Sequence, residues 1–356
     1  MKVLIAAGGT GGHIYPGIAV AKELLRRDPA SEVLFVGTAH GLETRLVPEN
    51  GFQLALIHSS GLKNVGLVDK IRGLAVLPQS FMEARTLLRE FRPHVVVGAG
   101  GYVSGPVLMM ASIMGIPTLV MESNALPGFT NRQLARFVDK AALTFVEALR
   151  YFKKKGVVTG NPVRKEFFEI PPRERSDKFE LLIFGGSRGA RAINTAMLDA
   201  LPLLEEFKEK LVITHQTGDV DFEKVTAGYK SAGWTTADVN AYISKIVDGF
   251  AKSDLVICRA GATTCAELAA AGRAAIMIPL PTAADDHQRR NAEALVNAGA
   301  ARMILQSDLT GESLAAELAE LIRNPEKIDS LEKAARILAK PDAAQVTADL
   351  IEQLKH

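Results

Sequence analysis

The chain has 356 residues, which favours two domains over one, and 47% of them are hydrophobic, enough for sizeable cores. Its 42 basic and 40 acidic residues nearly balance, which argues against a nucleic-acid partner. The two cysteines, Cys258 and Cys265, are too few for a disulfide framework and lack a compact Cys/His set for a metal, so a reducing compartment is expected.

Met1 leads into an apolar strand at 3–7, and then into Gly8-Gly9-Thr10-Gly11-Gly12-His13, which reads as a tight glycine turn opening a helix. The apolar stretch is too short for a signal peptide, and no window reaches the roughly 18 uninterrupted apolar residues of a membrane span. A soluble, cytoplasmic chain is expected, one that can still touch a membrane surface. Further strands are expected at 33–36, 95–98, 118–121 and 143–146, then at 181–184, 211–214, 255–258, 275–278 and 302–305. Several are continuously apolar, as parallel strands buried on both faces are. Their alternation with helical patterns implies a doubly wound parallel sheet in each half.

Between residues 66 and 91, Leu67, Ile71, Leu74, Leu77 and Phe81 recur at helical spacing, with Lys63, Lys70, Arg72 and Arg85 nearby. Pro78 is expected to divide this stretch into two helices. The pair reads as core-facing, or as a surface patch for anionic lipid. The run Lys153-Lys154-Lys155 reads as a solvated loop. Asn161-Pro162, Pro171-Pro172 and the charged stretch 173–178 mark a domain boundary. Past Pro341, a last helix carries Val346, Leu350, Ile351 and Leu354 on one face, which suits a return to the first domain. The expected domains are 1–163 plus 341–356, and 164–340.

A second glycine loop, Gly185-Gly186-Ser187-Arg188-Gly189, repeats the design of the first. Such loops bring backbone N–H groups and a helix N-terminus up to an anion. Two of them suggest two similar α/β domains facing one cleft, with a phosphate-bearing ligand between. The first loop lacks the third glycine of a dinucleotide fingerprint, and Val36-Gly37-Thr38 offers no acid for an adenosine ribose. Neither loop ends in Gly-Lys-Ser/Thr, so no P-loop is present and no cofactor is expected.

His13 opens a helix where ligands of such sheets bind; the helix N-terminus disfavours its imidazolium and suits it to take a proton. Glu267, in the segment 258–268, is placed in the first turn of a helix, either as a dipole carboxylate or as an acceptor for two vicinal ribose hydroxyls. Asp285-Asp286-His287-Gln288-Arg289-Arg290-Asn291 lacks the ligand spacing of zinc motifs and reads better as a polar loop for sugar hydroxyls. Gly100-Gly101-Tyr102, Glu122-Ser123-Asn124 and Asn161-Pro162-Val163-Arg164 fall at strand ends. Arg164 suits either a diphosphate or a linker ion pair.

Seven segments in order, GGTGGHIYPG, GAGGYVSGP, ESNALPG, GNPVR, GGSRGA, CRAGATTCAEL and PLPTAADDHQRRNA, resemble the MurG family of GT-B glycosyltransferases along essentially the whole chain. The resemblance implies inverting transfer of N-acetylglucosamine (GlcNAc) from UDP-GlcNAc to lipid I, undecaprenyl-diphospho-muramoyl-pentapeptide, in peptidoglycan synthesis. It implies a peripheral enzyme on the cytoplasmic face of the bacterial inner membrane, at an anionic surface. The second domain would hold the donor and the first the acceptor. Glu267 would take the ribose, backbone near Ile243 the uracil, and Ser187 with Arg164 the diphosphate. Gln288, with His287 or Asn291 nearby, would read the sugar, and Ala262 and Thr263 would join the donor site. Asn124 and Thr10, Gly11 and Gly12 would act on the sugar from the first domain. His13 would be the base, and Arg259 a further cation for the leaving group. Two departures stand out: His287-Gln288 where some members have Gln-Gln, and Arg188 where others carry Gln. A UDP-GlcNAc 2-epimerase shares the two-domain plan and is the main alternative. A dehydrogenase and a membrane-bound scaffold are more distant ones.

Overall fold

The structure, a computed structural model, describes residues 1–59, 67–186 and 188–355, with backbone only for 67–76. It divides into two units, Met1–Val163 with Lys340–His356, and Arg164–Ala339.

The first unit runs β1 (Lys2–Ala7), α1 (Gly11–Arg27), β2 (Glu32–Gly37), α2 (Glu43–Glu49), β3 (Gln53–Leu56), α3 (Leu67–Phe91), β4 (Val95–Gly100), α4 (Ser104–Ile113), β5 (Thr118–Glu122), α5 (Phe129–Leu134), β6 (Lys140–Leu143), α6 (Leu149–Phe152) and β7 (Gly156–Val158). All pairings are parallel, in the order β3-β2-β1-β4-β5-β6-β7. Alternate residues of the central strands feed opposite layers. Val3, Ile5, Val95 and Val97 pack on one face with Ile18 and Leu24 of α1. Leu4, Ala6 and Val96 pack on the other with Ala84 and Leu88 of α3 and Leu108 of α4. This is why the central strands read as unbroken apolar runs.

The second unit runs β8 (Phe179–Phe184), α7 (Arg191–Ala200), β9 (Leu211–Gln216), α8 (Phe222–Ser231), β10 (Asp238–Asn240), α9 (Ile246–Lys252), β11 (Leu255–Cys258), α10 (Ala262–Ala271), β12 (Ala274–Met277), α11 (His287–Asn297), β13 (Arg302–Met303), α12 (Gly311–Arg323) and α13 (Pro325–Ile337). Its sheet, again all parallel, has the order β10-β9-β8-β11-β12-β13. Leu181, Ile183, Leu255, Ile257 and Ile276 form one core with α7 and α12. Cys258 is fully buried at the end of β11.

The last helix, α14 (Ala343–Leu354), belongs to the first unit. Ala348, Leu350 and Ile351 enter the core that holds Ile18 and Leu24. Arg27 secures the contact from α1 with bonds to Asp349 (2.6 Å), Glu352 (2.9 Å) and the Gln345 carbonyl (3.0 Å). The charged stretch 173–178, expected to mark a boundary, is strapped to the second unit. Arg173 and Arg175 both reach the buried Asp254 at 3.1 Å. Fully buried Arg273 donates to the carbonyls of Phe250 and Pro171.

Four expectations need correction. Pro78 does not divide residues 66–91: α3 is one helix from Leu67 to Phe91 with Pro78 inside. One missing N–H is tolerated in a helix whose C-terminal half is anchored, with Ala84 and Leu88 buried in the core that holds Leu108 of α4. The strand expected at 143–146 ends at Leu143, and exposed Val146 opens a 3-10 turn instead. Strands β3, β7 and β10 carry no long apolar run because each is a sheet edge, half open to solvent. The two glycine loops also differ. Helix α1 starts at Gly11, four residues after β1 ends, whereas α7 starts at Arg191, seven after β8 ends. The lipid-patch reading rests largely on Lys63 and the side chains of 67–76, which lie outside what is described.

Burial of Ile351 makes α14 integral to the first unit. Ile351→Ala should destabilise that unit by about 2–5 kcal/mol, read as a lowered thermal midpoint by circular dichroism with the Trp234 fluorescence transition of the second unit unmoved.

Candidate functional site

In each sheet the strand order reverses at its centre, between β1 and β4 and between β8 and β11. Crossovers leave such a point on opposite faces, which opens a crevice at the carboxyl ends of the two strands. Both glycine loops and most of the expected site residues lie at these two points.

In the first unit, Gly8 N–H donates to the Gly100 carbonyl (3.2 Å), joining the ends of β1 and β4. Ser104 Oγ accepts from Gly100 N–H at 3.1 Å and lies 2.9 Å from the Ala6 carbonyl. Thr10 caps α1, with Gly11 and Gly12 as its first two residues and His13 as the third. The imidazole lies over Gly100, whose φ of +123° and missing side chain are both required, since a Cβ there would collide with Nδ1.

The sequence reading missed the residue beneath this loop. Glu43, fully buried, accepts from Gly9 N–H (2.9 Å), Thr38 N–H (2.8 Å) and Thr38 Oγ1 (2.9 Å). Burial alone would raise its pKa, but these donors outweigh it and hold the carboxyl below its ordinary range. Side chains at Gly37 or Gly41 would run into it. The first glycine loop therefore already cradles an anion, its own glutamate. The only clue in sequence is two glycines shortly before an acid, a weak pattern.

Glu122 plays a similar part beside it. Buried, it accepts from the N–H groups of Asn124 (2.9 Å) and Gly128 (3.0 Å) and from Asn131 Nδ2 (2.8 Å), fixing the loop that carries Asn124. Burial pushes its carboxyl up, against those donors.

In the second unit, Ser187 lies outside the described residues. The rest of its loop is held from below. Gly189 and Gly218 come so close that a side chain on Gly189 would strike the Thr217 carbonyl. Gln216, buried and absent from the sequence reading, donates from Nε2 to the Gly186 carbonyl (2.8 Å) and accepts Ile243 N–H at Oε1 (2.9 Å). One amide thus ties the glycine loop to the segment expected near uracil. Deeper still, His215 contacts Tyr229 (3.0 Å) and Asn194 (3.1 Å), and Asn194 Nδ2 donates to the Thr217 carbonyl and Asp221. Burial pushes the His215 imidazole down to about 3.

Glu267 is not in a first turn: α10 begins at Ala262, which puts the carboxylate in the second turn. The dipole reading loses its basis, because the macrodipole acts within the first turn. Burial pushes its carboxyl up to about 7, with the Arg164 charge opposing. Arg164 Nη2 lies 3.6 Å from Glu267 Oε1. Thr263, one turn before Glu267 on α10, has a buried Oγ1 with no partner among the described residues.

Four expected residues make hydrogen bonds within the second unit. Arg259 donates from its guanidinium to the carbonyls of Ile278 (3.0 Å) and Pro279 (3.2 Å) and to Gln306 Oε1 (2.7 Å), which holds the 279–281 turn. Asn291 is fully buried, with Nδ2 on the Ala260 carbonyl at 3.2 Å, so it braces the start of α10 and offers a sugar no exposed atom. Gln288 uses Oε1 to accept Leu280 N–H (3.0 Å), while His287 Nδ1 donates to the Ala284 carbonyl (2.7 Å). Asp285 and Asp286 precede them with φ of 56° and 55°, two successive left-handed residues at about 1–3 kcal/mol each. Strain of this kind concentrates at binding loops. Arg188 is exposed on its loop. Among the described residues, no three His, Cys, Asp or Glu side chains are grouped to hold a metal.

Residues 3–143 match the glycosyltransferase family 28 N-terminal domain, and residues 180–347 match the family 28 C-terminal domain. The chain is 50% identical over 349 residues to the UDP-N-acetylglucosamine--N-acetylmuramyl-(pentapeptide) pyrophosphoryl-undecaprenol N-acetylglucosamine transferase of Citrifermentans bemidjiense, covering 97% of each chain. The crystal structure of Acinetobacter baumannii MurG superposes with a TM-score of 0.80 at 34% identity, covering 99% of both chains. A UDP-GlcNAc 2-epimerase from Neisseria meningitidis, bound to UDP-GlcNAc, reaches 0.70 at 16% identity over 99% of this chain and all of its own, a likeness of fold alone. The doubly wound GT-B plan read from the sequence is the fold found.

The buried His215 gives the second unit a pH signature. Its folded pKa lies below the unfolded one, so the unfolded chain binds the extra proton and stability falls as pH drops from about 6.5 toward 3. Between pH 7.5 and 5 the wild type should lose about 2 kcal/mol more than His215→Gln, measured by urea titration of the single tryptophan, Trp234.

Proposed function

Because the chain belongs to glycosyltransferase family 28, we propose that it transfers GlcNAc from UDP-GlcNAc to undecaprenyl-diphospho-muramoyl-pentapeptide with inversion, giving the β-1,4-linked lipid II of peptidoglycan synthesis. The half-identity to a transferase of that name, unbroken across both units, carries this reading. The epimerase alternative has only shared fold behind it.

The second unit, 164–339, takes the donor. The Glu267 carboxylate accepts the two ribose hydroxyls, and its burial suits it to groups that bring their own protons. Arg164 meets the diphosphate, together with Ser187. Gln216 holds the Ile243 segment against uracil, and the amide of Gln288 reads the sugar beside Ala262 and Thr263. His287 sits where it can tune that contact. The first unit, 1–163 with 340–356, takes the acceptor. Its loop at Thr10, Gly11 and Gly12 presents His13, and Asn124 stands on the loop fixed by Glu122.

Inversion needs a base, alignment and a stabilised leaving group. His13 removes the proton of the muramoyl C4 hydroxyl as that oxygen attacks the anomeric carbon, while UDP departs with the bonding pair. Base assistance of this kind is worth about 10²–10⁴-fold. Negative charge growing on the diphosphate is met by main-chain N–H groups of the second glycine loop and by Arg164. No described helix is long and apolar enough to cross a membrane. The protein works as a peripheral enzyme at the anionic cytoplasmic face of the inner membrane, where its lipid acceptor resides.

Two measurements check the assignments. His13→Ala should lower kcat at least tenfold with a soluble lipid I analogue while UDP-GlcNAc affinity holds; a smaller fall removes His13 as the base. Glu267 must be ionised to accept the ribose, so UDP-GlcNAc affinity should rise as pH passes through about 7. In Glu267→Gln it should be weaker and flat with pH, by calorimetry.

A further inference from the structure

Arg164 has a side chain 44% exposed, and a long flexible cation at such a site forfeits about 2 kcal/mol of rotamer freedom if held still. It is nonetheless seated. Its guanidinium carbon lies 4.9 Å from the centroid of Phe167, while Nη2 approaches Glu267. Phe167 is fully buried. It stands edge-on to Phe250 (5.1 Å, 83°), which in turn leans on Phe184, the last residue of β8 (5.8 Å). The Phe250 carbonyl accepts from the buried Arg273 Nε at 2.7 Å. Three rings anchored in the second unit thus run from the carboxyl end of its central strand to the guanidinium.

We propose that Phe167 is a positioning residue for the donor site, its ring face holding Arg164 beside Glu267 so that the cation and the carboxylate are set as a pair. This rests on the donor-site reading above. A cation over a ring face is attracted by the ring quadrupole, which offsets the entropy lost in holding the side chain still. Other charged groups on neighbouring elements are committed elsewhere. Lys165 pairs with Glu169, Arg289 and Arg290 with Glu293, and Glu332 with Arg175. Arg336 donates to the Ala271 carbonyl at the far end of α10, and His287 to Ala284. Cys258, the other titratable neighbour of Glu267, is kept a neutral thiol by burial. Arg164 is therefore the lever on Glu267, and Phe167 is the lever on Arg164.

The test is UDP-GlcNAc affinity by calorimetry from pH 5.5 to 9 for wild type, Phe167→Leu, Arg164→Ala and the double variant. With Arg164 released, Glu267 should ionise at higher pH, so Phe167→Leu should move the midpoint up by about half a unit or more, roughly threefold in affinity below it. The same change in the Arg164→Ala background should add no further shift. Phe250→Leu, which loosens the packing but keeps the stacking face, should move the midpoint less. Phe167→Met carries the same expectation should the leucine variant fail to fold. An unmoved midpoint, or an equal shift without Arg164, overturns the proposal. If wild-type affinity does not change through pH 7, the donor-site reading of Glu267 falls, and the proposal with it.

Discussion

A parallel sheet wound outward from its centre sends its two central crossovers to opposite faces. The carboxyl ends of the central strands are then left without a helix across them. This chain meets that constraint twice, at β1/β4 and at β8/β11. At such a gap the backbone must turn sharply while its N–H groups find partners, and glycine is the residue that permits both. His13 and Glu267 each lie within two turns of one of those gaps, on the helices that follow β1 and β11.

The two gaps meet their polar demand in opposite ways. In the first unit Glu43 fills the loop from inside, fed by Gly9 and Thr38. The N–H groups that the turn exposes inward are thereby matched by a carboxylate of the same unit. In the second unit the loop is braced by neutral groups, the Gln216 amide and the Thr217 carbonyl beneath Asn194. Asp221 lies one step further back, bonded to Asn194 Nδ2 and to Arg191. Loops that look alike in spelling are thus held from beneath by different chemistry, a carboxylate in one unit and an amide in the other.

The sheets, their central strands and the return of the last helix were legible because two-sided burial writes unbroken apolar runs and one-sided packing writes a helical stripe. Ile351 shows the second and residues 3–7 the first. Edge strands such as β10 were not legible, since half of each faces water. Many of the residues that carry resemblance to known transferases follow strand ends in their sheets, where glycine turns are written in the sequence. The braces did not appear: Glu43 and Gln216 act mostly on backbone atoms, which carry no residue identity, and the bonds to Gly9, Gly186 and Ile243 span about thirty residues each. The bonds by which Asn291 and Arg259 hold the carbonyls of Ala260, Ile278 and Pro279 were equally invisible in sequence, for the same reason.

The central claim is that a sugar leaves uridine diphosphate only for a hydroxyl on a second substrate. Labelled UDP-GlcNAc, incubated with the protein with and without a short-chain lipid I analogue, puts it to the test directly. Label should pass to the analogue in β linkage, and the donor should survive intact when the analogue is left out. Epimerised donor in the absence of acceptor, with no labelled disaccharide when acceptor is present, would contradict the account.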